Sequence, residues 1–248
     1  MSQLPDLTSF DAFLFDLDGV LTPTAEVHMR AWKAMFDELF EAWDIQPPYT
    51  DSDYFQYVDG KKRYDGVASL LRSRDVEIPW GHPSDPITAD TICGIGNRKN
   101  EVFTRVLNEQ GIAPYPGSLA LLDQLPGYPL GVVSRSKNAR DVLAAAGIAN
   151  RFVTIVDGIV AEDDDLASKP AADMFARGAH DLGISPSRIA AFEDAHSGVA
   201  SAAAAGIALV VGVDRGAGAE ALLSHGATLV VSDLAEFVPA LSTRNHNA

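Results

Sequence analysis

Short apolar runs recur along this chain with amphipathic stretches between them. The first, Ala12–Phe15, is apolar at every position and lies between Asp11 and Asp16, the pattern of a strand buried on both faces. Similar runs stand at Leu130–Ser134, Phe152–Val156, Arg188–Phe192, Ala208–Val213 and Thr228–Val231. The stretches between and after them predict helices over Ser118–Leu125, Asn138–Ala146, Ala171–Leu182, Ser197–Ala205, Gly218–Ser224 and Leu234–Leu241. Several of these end at glycine, as Ala145-Ala146-Gly147 and Ala204-Ala205-Gly206 do. Strand–helix alternation of this kind predicts an α/β fold, a Rossmann-like parallel sheet with helices on both faces.

The alternation fails from Ala25 to about Asn108. That block reads as helical over Ala25–Trp43, Tyr64–Arg74 and Asn97–Gln110, with polar connections at Ile45–Asp53 and Ile78–Ala89 and no strand. It predicts a small helical cap domain at 25–108, inserted into a core formed by 1–24 and 109–248. Pro23–Thr24 and Pro114–Gly117 stand at the two crossings as candidate hinges.

Composition narrows the partners. The chain has 248 residues, 47% of them hydrophobic, enough for a sizeable core. A formal charge of −15 disfavours nucleic acid and anionic lipid. Any phosphate site must then be built from local cations. The single cysteine, Cys93, excludes an internal disulfide and a cysteine metal cluster, and reads as a buried small side chain. The N-terminal residues lack a basic start and an apolar run, so no signal peptide is expected, and no run approaches the about 20 apolar residues of a membrane helix. The expected setting is cytoplasmic.

Candidate chemistry gathers at the ends of the apolar runs. Asp16 and Asp18 end the first, two apart and so aimed alike, and Gly19 lets the chain turn. Alone, the pair fits a turn or cap as well as a metal-assisted site. Ser134 ends a second run and is followed by Arg135-Ser136-Lys137-Asn138, a strand-end hydroxyl with backbone N–H groups opening a helix, as in a phosphate cradle. Lys169 precedes Pro170 in an acid-rich part of the chain. Glu193-Asp194 close a third run.

In this order and spacing, Asp16-Leu-Asp18-Gly-Val, Ser134, Lys169-Pro170 and Glu193-Asp194 resemble the four motifs of the haloacid dehalogenase superfamily, over essentially the whole chain. The resemblance implies the fold of that superfamily and Mg2+-dependent phosphoryl transfer. It implies that Asp16 is the nucleophile and Asp18 the general acid/base. Ser134 and Lys169 would hold the phosphoryl group, and Asp16, Glu193, Asp194 and the backbone carbonyl of Asp18 the metal. A catalytically dead binding protein on this fold would lack one of these residues, and none is missing.

Thr22-Pro-Thr24-Ala-Glu26-Val-His28-Met-Arg-Ala-Trp32 further resembles the β-phosphoglucomutase subfamily. That resemblance implies roles at the cap entrance for Thr24 and His28, with Trp32 either core or lining the underside of the cap. A mutase must grip both phosphates of a sugar bisphosphate. Gly60-Lys61-Lys62-Arg63 and Asn97-Arg98-Lys99-Asn100 offer cations for the second, with Arg63 and Lys99 as the matching residues; a solvated helix face is the alternative for either cluster. Arg135, Ser136, Lys137 and Asn138 are expected beside the first phosphate. Asp59, Pro23 and Arg135 depart from the subfamily pattern and bear on the choice of sugar. The expected activity is interconversion of β-glucose 1-phosphate and glucose 6-phosphate through glucose 1,6-bisphosphate, with a sugar-phosphate phosphatase as the alternative. The expected partner is a small sugar phosphate, and the expected state a monomer.

Overall fold

The structure is a computed structural model that describes residues 4–58, 61 and 63–238. Two compact units emerge, residues 1–24 with 112–248, and residues 25–111.

In the first unit six strands form one parallel sheet: β1 (Ala12–Phe15), β2 (Leu130–Val133), β3 (Thr154–Val156), β4 (Ile189–Glu193), β5 (Leu209–Val213) and β6 (Leu229–Val231). Their order is β3-β2-β1-β4-β5-β6. The chain builds outward from β1 to one edge, then returns to β1's other side, so β1 and β4 flank the switch point of a doubly wound sheet. Period two sorts the side chains of β1 between the faces. Leu14 joins Val133, Met174, Phe175, Ala179, Val199 and Ala202 in one core cluster. On the other face Phe15 stacks on Phe192 at 4.8 Å, and Phe192 meets Phe237 edge-on at 6.0 Å.

The second unit and the connections carry the helices. In chain order these are α1 (Thr24–Ala42), α2 (Asp51–Asp53), α3 (Arg63–Arg72), α4 (Ile92–Gln110), α5 (Pro116–Asp123), α6 (Ala139–Ala145), α7 (Gly158–Asp163), α8 (Asp173–Leu182), α9 (His196–Ala204) and α10 (Ala219–Ser224). Four differences from the sequence expectation have physical causes. Helix α4 starts five residues before Asn97 because Thr91 caps it, its hydroxyl accepting from the Gly94 N–H, and because Ile92, Cys93 and Ile95 are buried. At the end of the supposed polar connection 45–53 and just beyond it, α2 and a wide π turn at Tyr54–Val58 form around Asp53, which is buried against Arg74 at 2.9 Å. Helix α7 arises in the acid-rich stretch because Asp157 caps it, accepting from Ile159 and Val160. Leu234–Phe237 forms a 3-10 turn in place of the start of a longer helix, and residues 239–241 lie outside the described residues. No helix of the described residues is long and apolar enough to cross a membrane.

Candidate active site

The carboxyl ends of β1, β2 and β4 converge on one point. Asp16 follows β1, Ser134 follows β2, and Glu193 ends β4 with Asp194 next to it. Pairing of β1 with β4 brings residues about 177 positions apart side by side, Phe15 against Phe192. Lys169 arrives from the loop before α8. Its ammonium donates to Asp16 Oδ1 at 2.5 Å, to the Val133 carbonyl at 2.8 Å, and to Glu193 Oε1. An ammonium has three protons, so Lys169 is saturated. Burial pulls its pKa down, but the adjacent Asp16 and Glu193 carboxylates outweigh burial and hold it above the ordinary lysine value.

Two glycines make room for two acids. A Cβ on Gly19, at φ +82°, would meet Asp194 Oδ2 at 1.9 Å, and one on Gly198 would meet Glu193 Oε1 at 1.8 Å. Asp16, Glu193 and Asp194 each place an oxygen within 4.8 Å of the others'. Burial, then repulsion from Asp16, raises Asp194 to about 8 and pushes Glu193 upward as well. Asp18 is raised to about 6, mainly by burial and next by Asp16, with the Thr24 hydroxyl pulling the other way. Its Oδ1 is buried without a hydrogen-bond partner. One lysine among four acids leaves an excess of buried negative charge. Hard oxygen donors in that state fit a divalent cation such as Mg2+.

The turn after Asp16 is held from several sides. Gly19 N–H donates to the Thr22 carbonyl and Thr22 N–H to the Leu17 carbonyl. The carbonyl of Gly19 accepts from Arg215, that of Val20 from the buried Ser118 hydroxyl, and that of Leu21 from the Tyr115 N–H. None of these three donors is marked by the sequence motifs, because each meets the turn only through tertiary contact. Beyond β2, Ser134 is fully buried, and its hydroxyl accepts from the Ser136 N–H; Asn138 stands before α6, its N–H donating to Ser136 Oγ. Arg135 is exposed, and its charge lowers Asp18's pKa. Lys137 is also exposed and pairs with Glu162, so its charge is already answered by an acid. Thr24 is buried, with its hydroxyl 2.8 Å from that of Thr22.

In the helical unit Lys99 is 3% exposed, which removes the solvated helix face as its reading. Its Nζ lies 2.7 Å from His28 Nδ1, 5.1 Å from the Trp32 ring centroid and 5.0 Å from that of Phe103. As the ammonium donates, His28 Nδ1 accepts and the ring proton sits on Nε2. Burial, then Lys99 and Arg63, pushes His28 down to about 3; burial, then Arg63, brings Lys99 to about 7. Among the described residues no carboxylate is paired with Lys99. Arg63 is exposed and donates to Asn100 Oδ1 at 3.1 Å. Trp32 is buried and stacks on Phe36 at 5.4 Å, the core placement of the two expected for it. Gly60, with Asp59 and Lys62, lies outside the described residues.

The chain matches the haloacid dehalogenase-like hydrolase family over residues 10–206. It is 48% identical over 244 residues to the β-phosphoglucomutase of Mycobacterium bovis, covering 92% of this chain and 91% of that one. Among solved structures, CbbY of Rhodobacter sphaeroides in complex with phosphate is 26% identical with a TM-score of 0.66, over 92% of this chain and 96% of that one. A Thermotoga maritima protein shares the fold at a TM-score of 0.73 and 23% identity, over 94% and 99% of the two chains. The family match begins before the strand that carries Asp16 and ends beyond Asp194, with the whole helical unit between, and on that extent the chain belongs to the haloacid dehalogenase-like hydrolases.

Proposed function

We propose that this protein interconverts β-glucose 1-phosphate and glucose 6-phosphate through phospho-Asp16 and glucose 1,6-bisphosphate. The observation that carries this reading is the 48% identity to a β-phosphoglucomutase across both units. The geometry of the site supports the chemistry.

An Asp16 oxygen attacks phosphorus, and the bond from phosphorus to the sugar oxygen breaks. Asp18 donates its proton to that leaving oxygen. A carboxyl raised to about 6 keeps part of its population protonated near neutrality, and the carboxylate then takes the proton from the accepting hydroxyl in the reverse transfer. Lys169 already touches Asp16, so a phosphoryl oxygen would replace one of its three acceptors and remain beside a fixed cation. The Ser134 hydroxyl and the N–H groups after it would hold another phosphoryl oxygen. Asp16, Glu193 and Asp194, with the Asp18 backbone carbonyl, would hold Mg2+, whose charge offsets the meeting of phosphate and carboxylate.

In the helical unit, Lys99, His28 and Arg63 would recognise the phosphate that is not reacting. A buried ammonium such as that of Lys99, with no paired carboxylate among the described residues, suits an anionic ligand. Thr24 would help to orient Asp18.

The test supplies β-glucose 1-phosphate, Mg2+ and a trace of glucose 1,6-bisphosphate, and follows glucose 6-phosphate and free phosphate together. Isomer formation without matching phosphate release is expected. Stoichiometric phosphate release without isomer would replace the mutase with a phosphatase. Arg63→Ala should depress isomerisation far more than hydrolysis of p-nitrophenyl phosphate, and equal losses would remove the role given to the helical unit.

A further inference from the structure

We propose that Arg215 is a positioning residue for phosphoryl transfer, holding the turn that carries Asp18 through the carbonyl of Gly19. The inference rests on Asp18 being the proton donor and acceptor of the proposed reaction.

Asp18 Oδ1 has no hydrogen-bond partner, so beyond the Thr24 hydroxyl the aim of this carboxylate rests on its own backbone. That backbone enters Gly19 at φ +82°, a conformation open to more than one arrangement of the following peptide. Three consecutive carbonyls after it, on Gly19, Val20 and Leu21, are each bound from outside the turn. Arg215 holds the one nearest Asp18, with Nε 3.1 Å from the Gly19 oxygen.

The guanidinium is itself fixed on every side. One terminal nitrogen donates to the Ser232 carbonyl at 3.3 Å and the other to Asp233 Oδ2 at 3.1 Å. Its carbon lies 4.0 Å from the centroid of the Tyr115 ring, a cation–π contact. The backbone of Arg215 sits in a turn whose Gly216 and Gly218 N–H groups are both accepted by Asp214 Oδ1. Asp233 in turn occupies space that a side chain at position 117 would close, since a Cβ on Gly117 would meet its Oδ1 at 1.6 Å. A planar fork with fixed partners at its two terminal nitrogens and against one face can transmit that rigidity to its Nε. A lysine reaches one acceptor at a time and does not reproduce the arrangement.

Arg215→Ala and Arg215→Lys are compared with the unaltered protein. In Arg215→Ala, kcat should fall about 10–100-fold, as when a support behind a reacting group is removed, with KM within about threefold. The same fall should appear with p-nitrophenyl phosphate, which does not depend on the sugar. Without substrate or Mg2+, amide hydrogen exchange at Gly19, Leu21 and Thr22 should quicken about tenfold while that of β1 and β4 stays unchanged. Added ethylguanidinium should restore part of the rate to Arg215→Ala, and Arg215→Lys should remain as impaired as the alanine variant. An unchanged kcat in Arg215→Ala overturns the proposal, whatever the exchange rates do. So does a slower rate with unchanged exchange in the turn, which would indicate loss of stability elsewhere. Failure of the mutase reading would show separately, as absence of isomer from the unaltered protein.

Discussion

Lys99→Met gives a measurable test of the electrostatics in the helical unit. In the folded protein the Lys99 pKa lies near 7, against 10.5 ordinarily, because the ammonium is buried and faces Arg63. The unfolded chain therefore binds a proton that the folded chain lacks between those values, and stability rises with pH across that window. At about 1.4 kcal/mol per pH unit the buried ammonium costs about 4–5 kcal/mol at pH 7 and about 2 kcal/mol at pH 9. Contact with the faces of Trp32 and Phe103 offsets about 1 kcal/mol of the larger figure. Methionine keeps the contacts with both rings and loses only the bond to His28 Nδ1, at about 1 kcal/mol. The variant should thus be more stable than the parent by about 2–3 kcal/mol at pH 7 and by about 1 kcal/mol at pH 9. Denaturant unfolding at both pH values, without ligand, measures the two differences. An advantage that does not shrink as pH rises would refute the reasoning. So would a variant less stable at pH 7. A stabilised variant that loses isomerase activity would show that the unfavourable charge is retained for function.

Other outcomes follow from the core unit. Mg2+ should raise Tm more at pH 8.5 than at pH 6, because at the lower pH it must displace protons from the raised Asp194 and Glu193; equal shifts would contradict that. Asp16→Asn should abolish labelling by radioactive glucose 1,6-bisphosphate and lower turnover by about 10³-fold or more, while persistent labelling would move the nucleophile elsewhere. Gly19→Ala should lose activity and destabilise the fold by about 1–2 kcal/mol from backbone strain alone, with further loss from contact with Asp194; an unchanged Tm would remove both causes.

The strands were legible because each is short and largely apolar, and the four inner ones are buried throughout. β1 matches its apolar run residue for residue, since a strand covered on both faces must be apolar throughout. Asp16, Ser134, Lys169 and the Glu193-Asp194 pair stood out as polar residues at places where apolar runs end or loops begin. Features fixed by packing were less visible. The start of α4, ahead of the expected Asn97, carries Gly94 and Gly96, poor helix formers where packing leaves no room for a side chain: a Cβ on Gly94 would meet the Ala89 carbonyl at 2.4 Å and one on Gly96 the Tyr64 ring at 2.6 Å. Asp53 reads as a loop acid until Arg74, 21 residues later, is placed against it. Without the resemblance Lys99 is one of two charges in Asn97-Arg98-Lys99-Asn100, and only the fold shows that it is the buried one. Arg215 lies 196 residues from Gly19, and no local pattern marks that contact.

The bond from the Tyr115 N–H to the Leu21 carbonyl, 2.9 Å long, has a consequence for how such a chain can be built. It ties together the two points of the core unit between which the helical unit is inserted. From the side of the core, that insertion is a detour that returns to its own doorstep. The entropy of closing such a detour grows only with the logarithm of its length, by about 0.6 kcal/mol for each doubling. The chain between those points is therefore free to lengthen, shorten or be exchanged with little strain on the sheet. One core sheet can in this way carry interchangeable insertions while its own strands and their register stay as they are.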